Sequence, residues 1–442
     1  MRHASHDTGH DAGNSKSAAA GEAVEKVEPV VSASSKAAVP GQLATKEIRR
    51  WLSTEARSVR LIRDFLARLC ERLNEAGVPV DRAMISIRTI HPQIIGTGYF
   101  WEAGAEVVTV NSGWDVLNDP DYLESPLRVI HDGKDMVRSR LAAGEEPDFP
   151  VVRSLAAGGY TDYAMFALPF SDGSRNSFSI STKAAGGFTD AQFAFIEEIV
   201  PLVDLQVEVR AGWQVAEVLL DTYIGHQAGA RVLAGDIRRG EGQTIQAVIF
   251  YADMRGFTAM SNDRPMGEVI ATLNAWFDCA ASAVERHGGQ VLKFIGDGML
   301  AIVPLVDAAF RHYACRQALQ AAYEIEDGIN ELNTARAENG LPVLQYRIGL
   351  HVGELVYGNI GATNRLDFTA IGPAVNLAAR LEELAGVLDV PLLVSSDFAD
   401  VASAYTDFRS LGQHTVRGIN GPVDVFVPEE PSPQKQAAAP AK

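Results

Sequence analysis

The sequence predicts an α+β protein in which two folded units are joined by a long helix. Three observations predict it. Residues 46–190 open with helical spacing, pass through strand-like runs and close on a hairpin signal. Between Ile199 and Leu220 the apolar residues step by three and four. Beyond residue 243, apolar strands alternate with helical stretches and carry aspartates at their turns. The 442 residues are 47 % hydrophobic and 21 % charged, enough apolar material for more than one core, so wholesale disorder is excluded.

The ends read differently. Residues 1–45 are rich in Ala, Ser, Gly and Val without one aromatic, and are expected to be a disordered tail. His3, His6 and His10 lie in it, and weak metal binding there competes with a plain polar tail. Residues 429–442, rich in Pro, Ala, Glu and Gln, read as a second tail. A helix is predicted from about residue 46, with Ile48, Trp51, Leu52, Val59, Leu61, Ile62, Phe65, Leu66, Leu69 and Leu73 at rough helical spacing. Strands follow at 84–90, 106–110, 163–170 and 176–182, the last two flanking Ser171-Asp172-Gly173-Ser174, a hairpin turn. Thr189 is the expected N-cap of the next helix. This order of elements, with Gly186-Gly187-Phe188-Thr189-Asp190 after the hairpin, resembles a GAF-type sensor domain over residues 46–190. His91 and His131 are candidates for a ligand pocket there, with ordinary polar packing as the alternative.

The helix from Thr189 is expected to run to about Ala234. Ile199, Leu202, Gln206, Val209, Trp213, Ala216 and Leu220 form an a/d seam, so residues 191–242 read as a helical dimer connector. The alternative is one amphipathic helix packed on its own domain. Pro201 lies inside the pattern, and Gly225-His226-Gln227-Ala228-Gly229 is expected to loosen the helix before the next domain.

Residues 243–428 carry the chemistry. The strand 247–252 ends in Asp253-Met254-Arg255-Gly256-Phe257-Thr258, followed by a helical stretch at 265–285. A carboxylate at a strand end, a glycine turn and a helix N-terminus make a corner for phosphate and cation. A second corner follows, strand 290–295, then Gly296-Asp297-Gly298, then strand 299–303. If the two strands neighbour each other, Asp253 and Asp297 meet over hard divalent cations, which favour few carboxylates plus substrate phosphate oxygens. A further strand, 345–354, precedes Asp367–Pro373 and a helix at 374–385. On it Asn376 and Arg380 share a face at i and i+4, suited to a sugar oxygen and a phosphoryl group.

Four segments in order, at 250–258, 292–298, 347–353 and 371–380, resemble the class III nucleotidyl cyclase catalytic domain. The resemblance implies a ferredoxin-like βαββαβ core that works as a dimer with sites at the interface. It implies that Asp253 and Asp297, with the Met254 carbonyl, hold two Mg²⁺ or Mn²⁺ ions. The Gly256, Phe257 and Thr258 turn belongs to the substrate-binding set. Lys293 matches a purine-reading lysine and Thr369 the second purine-reading position, where adenylate-forming members commonly have Asp and a subgroup has Thr. Asn376 would orient the ribose, and Arg380 would stabilise charge at the α-phosphoryl. Arg417 matches a position where a lysine often contacts the terminal phosphates. Asp253 and Asp297 would come from one protomer, Asn376 and Arg380 from the other, so a homodimer holds two sites.

The reading implied is an adenylate cyclase that converts ATP to cyclic AMP, controlled by a small molecule or protein acting on the N-terminal domain. A guanylate cyclase and a catalytically silent nucleotide-binding module are the alternatives. Guanylate-forming members resemble Glu and Cys or Ser at the positions of Lys293 and Thr369. The net charge of −17 disfavours unspecific binding to nucleic acid or anionic lipid. Three cysteines, Cys70, Cys279 and Cys315, exclude a disulfide scaffold and fit a reducing cytoplasm. No apolar run approaches a membrane span, and residues 1–20 lack a secretory h-region, so a cytoplasmic protein is expected.

Overall fold

The computed structural model describes residues 42–141, 147–305 and 307–429. His3, His6 and His10 lie outside them, as does the second expected tail beyond Glu429.

The first helix starts inside the expected N-terminal tail. The helical stretch read as one is two, α1 (Gln42–Ser53) and α2 (Ile62–Glu75). The Ser53 and Thr54 hydroxyls donate back to the carbonyls of Arg49 and Arg50, both at 2.7 Å. Such back-bonding competes with continuation of the helix, and the chain turns there. Among the described residues six strands follow with three short α-helices between them: β1 (Arg82–Arg88), β2 (Ile94–Glu102), β3 (Val108–Gly113), α3 (Pro120–Leu123), α4 (Pro126–His131), β4 (Met136–Ser139), α5 (Pro150–Ala157), β5 (Asp162–Pro169) and β6 (Arg175–Thr182). They form one antiparallel sheet in the order β3-β2-β1-β6-β5-β4.

β2 and β4 were not expected from the sequence, and β3 lies later than the expected 106–110. In β2 every second residue, Ile95, Thr97, Tyr99 and Trp101, is buried, but Gly96 and Gly98 interrupt the strand propensity between them. The β5–β6 hairpin stands as read. Gly173 takes φ +86° at its tip, and the Asp172 carboxylate accepts the Ser174 N–H at 2.8 Å.

α6 (Asp190–Ile224) begins at the predicted cap. The Gln192 N–H donates to the Thr189 hydroxyl at 3.2 Å, and the Gln192 side chain accepts the Thr189 N–H at 2.9 Å. α1, α2 and α6 cover one face of the sheet around Phe65, Leu66, Ile85, Phe178, Ile196 and Val203. The opposite face, with Tyr163 and Met165, packs on Ile130 and Val152 of α4 and α5.

The predicted seam on α6 divides. Ile199 is fully buried in its own domain, and the Gln206 side chain donates to the Leu52 carbonyl at 2.8 Å. The inward face is instead Ile196, Ile199, Val203, Val207 and Ala211. An exposed apolar stripe remains at Leu205, Val209, Trp213 and Tyr223. The reason is the period: a straight helix drifts from a strict heptad, so residues on one seam at its start no longer share a face against a flat sheet. The helix ends at Ile224 rather than near Ala234. Gly225 at φ +86° breaks it, and a separate helix, α7 (His226–Leu233), follows.

The second unit contains β7 (Gly242–Arg255), α8 (Phe257–Asp263), α9 (Met266–Arg286), β8 (Gln290–Ile295), β9 (Gly298–Pro304), α10 (Arg311–Glu338), β10 (Gln345–Ala362), β11 (Arg365–Ile371), α11 (Pro373–Val387), β12 (Leu392–Ser395), α12 (Ser396–Ala402), β13 (Phe408–Thr415) and β14 (Pro422–Pro428). The sheet order is β13-β14-β12-β10-β7-β9-β8, with β11 paired to β10. Its centre, β7-α9-β8-β9-α10-β10 with strands ordered β10-β7-β9-β8, is the expected ferredoxin-like βαββαβ core. α9 and α10 cover one face around Trp276, Phe250 and Ile325. α11 and α7 cover the other: Ala228 and Val232 of α7 pack with Ile249, Ile302 and Ala378. Among the described residues no helix is long and apolar enough to cross a membrane.

Candidate active site

β7 lies between β10 and β9, and Asp253 stands near its end. The register pairs Ala252 with Met299, which brings Asp253 beside the β8–β9 turn that carries Asp297. Gly296 closes that turn at φ +66°, and the Trp276 indole N–H holds the Asp297 carbonyl at 2.9 Å. Asp297 is pushed up to about 6, first by burial and then by the neighbouring Asp253 carboxylate. The two predicted carboxylates therefore meet. Met254 has its side chain in the core, and its N–H donates to Asp253 Oδ1 at 3.0 Å.

Across the β7–β10 ladder Arg347 stands directly opposite Asp253. Its guanidinium donates to Asp253 Oδ2 at 2.8 Å and its Nε lies 2.8 Å from Glu382 Oε1 of α11. The Arg347–Glu382 contact is an ion pair without good hydrogen-bond alignment, and both atoms lack a hydrogen-bond partner among the described residues. Glu382 is buried and pushed up to about 7, mainly by that burial, with Arg347 opposing. Neither Arg347 nor Glu382 was singled out from the sequence. Glu382 did leave a signal, a carboxylate on the same helical face as Ala378, Leu381 and Ala385. Arg347 left none, because only the strand register sets it across from Asp253.

Gly256 takes φ +80° between β7 and α8, with Phe257 half-buried against the core and Thr258 exposed. Gly372 precedes α11, whose predicted pair falls on the outward side: Asn376 is exposed, and Arg380 is ion-paired to Glu383. Lys293 is half-buried on β8. Thr369, on β11, is 4 % exposed, and its hydroxyl is buried with no hydrogen-bond partner among the described residues. Leu292 of β8 and Phe368 and Ala370 of β11 share one apolar cluster, so Lys293 and Thr369 flank the same packing. Arg417 is exposed in the turn between β13 and β14, at the edge of the sheet away from β8. Among the described residues, no hydrogen bond or ion pair joins Asn376, Arg380 or Arg417 to Asp253 or Asp297. Nor do three His, Cys, Asp or Glu side chains converge as a metal cluster.

The family model described as adenylate and guanylate cyclase catalytic domain matches residues 241–428. Adenylate cyclase 1 of Rhizobium meliloti (strain 1021) is 32 % identical over 183 residues, 41 % of this chain and 27 % of that protein. An adenylate cyclase of Anabaena cylindrica is 34 % identical over 153 residues, 34 % of this chain and 29 % of that protein. The crystal structure of the adenylyl cyclase CyaB from P. aeruginosa aligns at 26 % identity, covering 44 % of this chain and 98 % of that one, with a TM-score of 0.41. The chain spans only between about a quarter and two-fifths of the length of the curated relatives it matches. Residues 241–428 are thus similar to the adenylate and guanylate cyclase catalytic domain.

Proposed function

We propose that this domain is an adenylate cyclase that forms 3′,5′-cyclic AMP and pyrophosphate from ATP as a homodimer. The observation that carries the reading is the meeting of Asp253 and Asp297 at one end of the sheet, within a domain similar to the cyclase catalytic domain. In the reaction the ribose 3′-oxygen bonds to the α-phosphorus, the bond from that phosphorus to the bridging oxygen breaks, and pyrophosphate leaves with its electron pair. The hydroxyl proton passes to solvent.

The carboxylates suit Mg²⁺ or Mn²⁺. Asp253 and Asp297 are hard donors pressed together in a half-buried corner, and their repulsion is what a cation between them would relieve. The Met254 carbonyl is proposed as a further ligand. Bound divalent ions would lower the hydroxyl's pKa and offset phosphate charge. The residues of the chain do the rest. Arg347 holds Asp253 in place from β10. Gly256, Phe257 and Thr258 line the turn where the phosphates would lie. Asn376 would hold the ribose, and Arg380 and Arg417 would meet charge developing on the phosphoryl groups. Since these three make no contact with the carboxylate pair within one chain, a second protomer is the natural source. Lys293 and the partnerless Thr369 hydroxyl suit the ring nitrogens and amino group of adenine.

The unit at 46–190 is read as a GAF-like sensor that regulates the cyclase through α6 and α7. The buried thiols Cys70 and Cys315 fit a cytoplasmic protein. The test is product identity. Protein with Mn²⁺ and either ATP or GTP is analysed by chromatography, with Asp253→Ala as the blank. Cyclic AMP that disappears in the variant supports the proposal. Cyclic GMP instead overturns the reading of Lys293 and Thr369, and no product from folded dimeric protein favours a silent module.

A further inference from the structure

The N-terminal sheet carries a cavity on the face opposite α1, α2 and α6. About 340 Å³ opens between β1, β2 and α4, and it continues through Met84, Phe100, Val116, Tyr122 and Leu127 into a second space of about 480 Å³. Each is of a size that takes a small organic molecule. The strand alternation builds it: Ala83, Ile85 and Ile87 of β1 face the core, which turns Met84, Ser86 and Arg88 to the other side. Gly96 and Gly98 of β2 leave the cavity floor without side chains beside them.

Its polar groups converge at one end. The Tyr122 hydroxyl lies 2.9 Å from His131 Nδ1, and His131 Nε2 is buried without a hydrogen-bond partner among the described residues. Burial, then Arg88, pushes His131 down to about 4, so the ring is neutral at pH 7. With the Tyr122 hydroxyl donating to Nδ1, the network puts the ring proton on Nε2. Arg128 is taken up by Asp132 at 2.7 Å, and Arg82 lies 3.6 Å from Glu102. Arg88 pairs with no carboxylate among the described residues. One exposed guanidinium without a carboxylate partner and one buried N–H donor thus lie at one end of the cavity, whose lining also carries Ser86, Ser112 and the Arg128–Asp132 pair.

We propose that this cavity binds a small organic monoanion with a flat apolar body, of which an aromatic carboxylate is the simplest case. The anion sits between Arg88 and His131 Nε2, and the body lies against Met84, Phe100 and Leu127. An anionic ligand gains a charge-assisted contact to the Arg88 guanidinium that a neutral one lacks, and a purely apolar one would leave the buried His131 donor unsatisfied. The proposal stands on the cavity alone and does not depend on the cyclase reading.

The test is calorimetric titration of the full chain with 2-naphthoate and with its neutral isostere 2-naphthamide. The acid is expected to bind at least about tenfold more tightly than the amide, as a charge-assisted hydrogen bond allows. Arg88→Gln should bring the acid down to the amide's level, and Ser86→Phe, which fills the cavity, should abolish both. Arg88 is the last residue of β1 and is exposed, so its variant should fold, which thermal unfolding verifies. Equal affinity for acid and amide overturns the proposal. So does an unchanged Arg88→Gln, acid binding that survives Ser86→Phe, or no binding of 2-naphthoate at all.

Discussion

Arg347 joins Asp253 on β7 to Glu382 on α11, 2.8 Å from each. One guanidinium thus ties the helix bearing Asn376 and Arg380 to the strand bearing the first carboxylate. Replacing it leaves two carboxylates facing each other in a half-dry cleft. Arg347→Met is expected to cost about 1–3 kcal/mol, less than a fully buried pair because the guanidinium and Asp253 are partly exposed. Cyclase activity should fall by about two orders of magnitude or more. Arg347→Lys should recover stability better than activity, since an ammonium cannot serve both carboxylates with one planar fork. Urea unfolding and cyclic nucleotide assays on the same samples separate the two effects.

Thr369 offers the opposite pattern. Its hydroxyl is buried without a hydrogen-bond partner among the described residues, so Thr369→Val should leave stability unchanged or raise it by up to about 1 kcal/mol. If the hydroxyl reads the purine, KM for ATP should rise about tenfold. A variant with unchanged KM would remove Thr369 from the binding set.

His351 sets an acid limit on the catalytic domain. It is 6 % exposed, bonds to the Ser395 hydroxyl at 2.8 Å and is pushed down to about 4 by burial. The unfolded chain binds this proton near pH 6.5, the folded one near 4. Its contribution to stability is therefore complete above pH 6.5 and is lost as the pH falls toward 4, by up to about 1.4 kcal/mol per unit. The difference in urea midpoint between wild type and His351→Asn should shrink from pH 7 to pH 5. A constant difference would show that His351 has the same pKa in the folded and unfolded states.

The exposed stripe on α6 gives a test of self-association. Leu205, Val209 and Trp213 lie in solvent in one chain. If α6 pairs with its copy, Val209→Glu with Trp213→Glu should weaken dimerisation by about tenfold or more in sedimentation, and leave the melting of the N-terminal domain within about 1 kcal/mol.

Truncation should depend on α7. Ala228 is fully covered and packs, with Val232, on Ile249 and Ile302 of the cyclase sheet. Protein beginning at Gln243 should unfold at lower denaturant than protein beginning at Gly225, since the first exposes that apolar face. Equal midpoints would assign α7 to the connector alone.

Much of the molecule was legible in short stretches of sequence. The Thr189 cap, the Asp172-Gly173 turn and the Gly296-Asp297-Gly298 tip are local, each needing a particular backbone angle or a side chain within a few residues. β2 was hidden because two glycines erased its propensity while its alternate residues still faced the core. The residue types for two-carboxylate chemistry were visible in the same way, since turn and strand patterns carry them. What only the tertiary structure decided depends on register. A shift of one residue between β7 and β10 would turn Arg347 to the other face of the sheet, and no local pattern sets that shift. The same holds for α6, where the sequence supplied the apolar residues but packing against α1, α2 and the sheet chose which of them to bury. The chemistry of single residues is written along the chain, and their pairing arises from burial summed over the whole core.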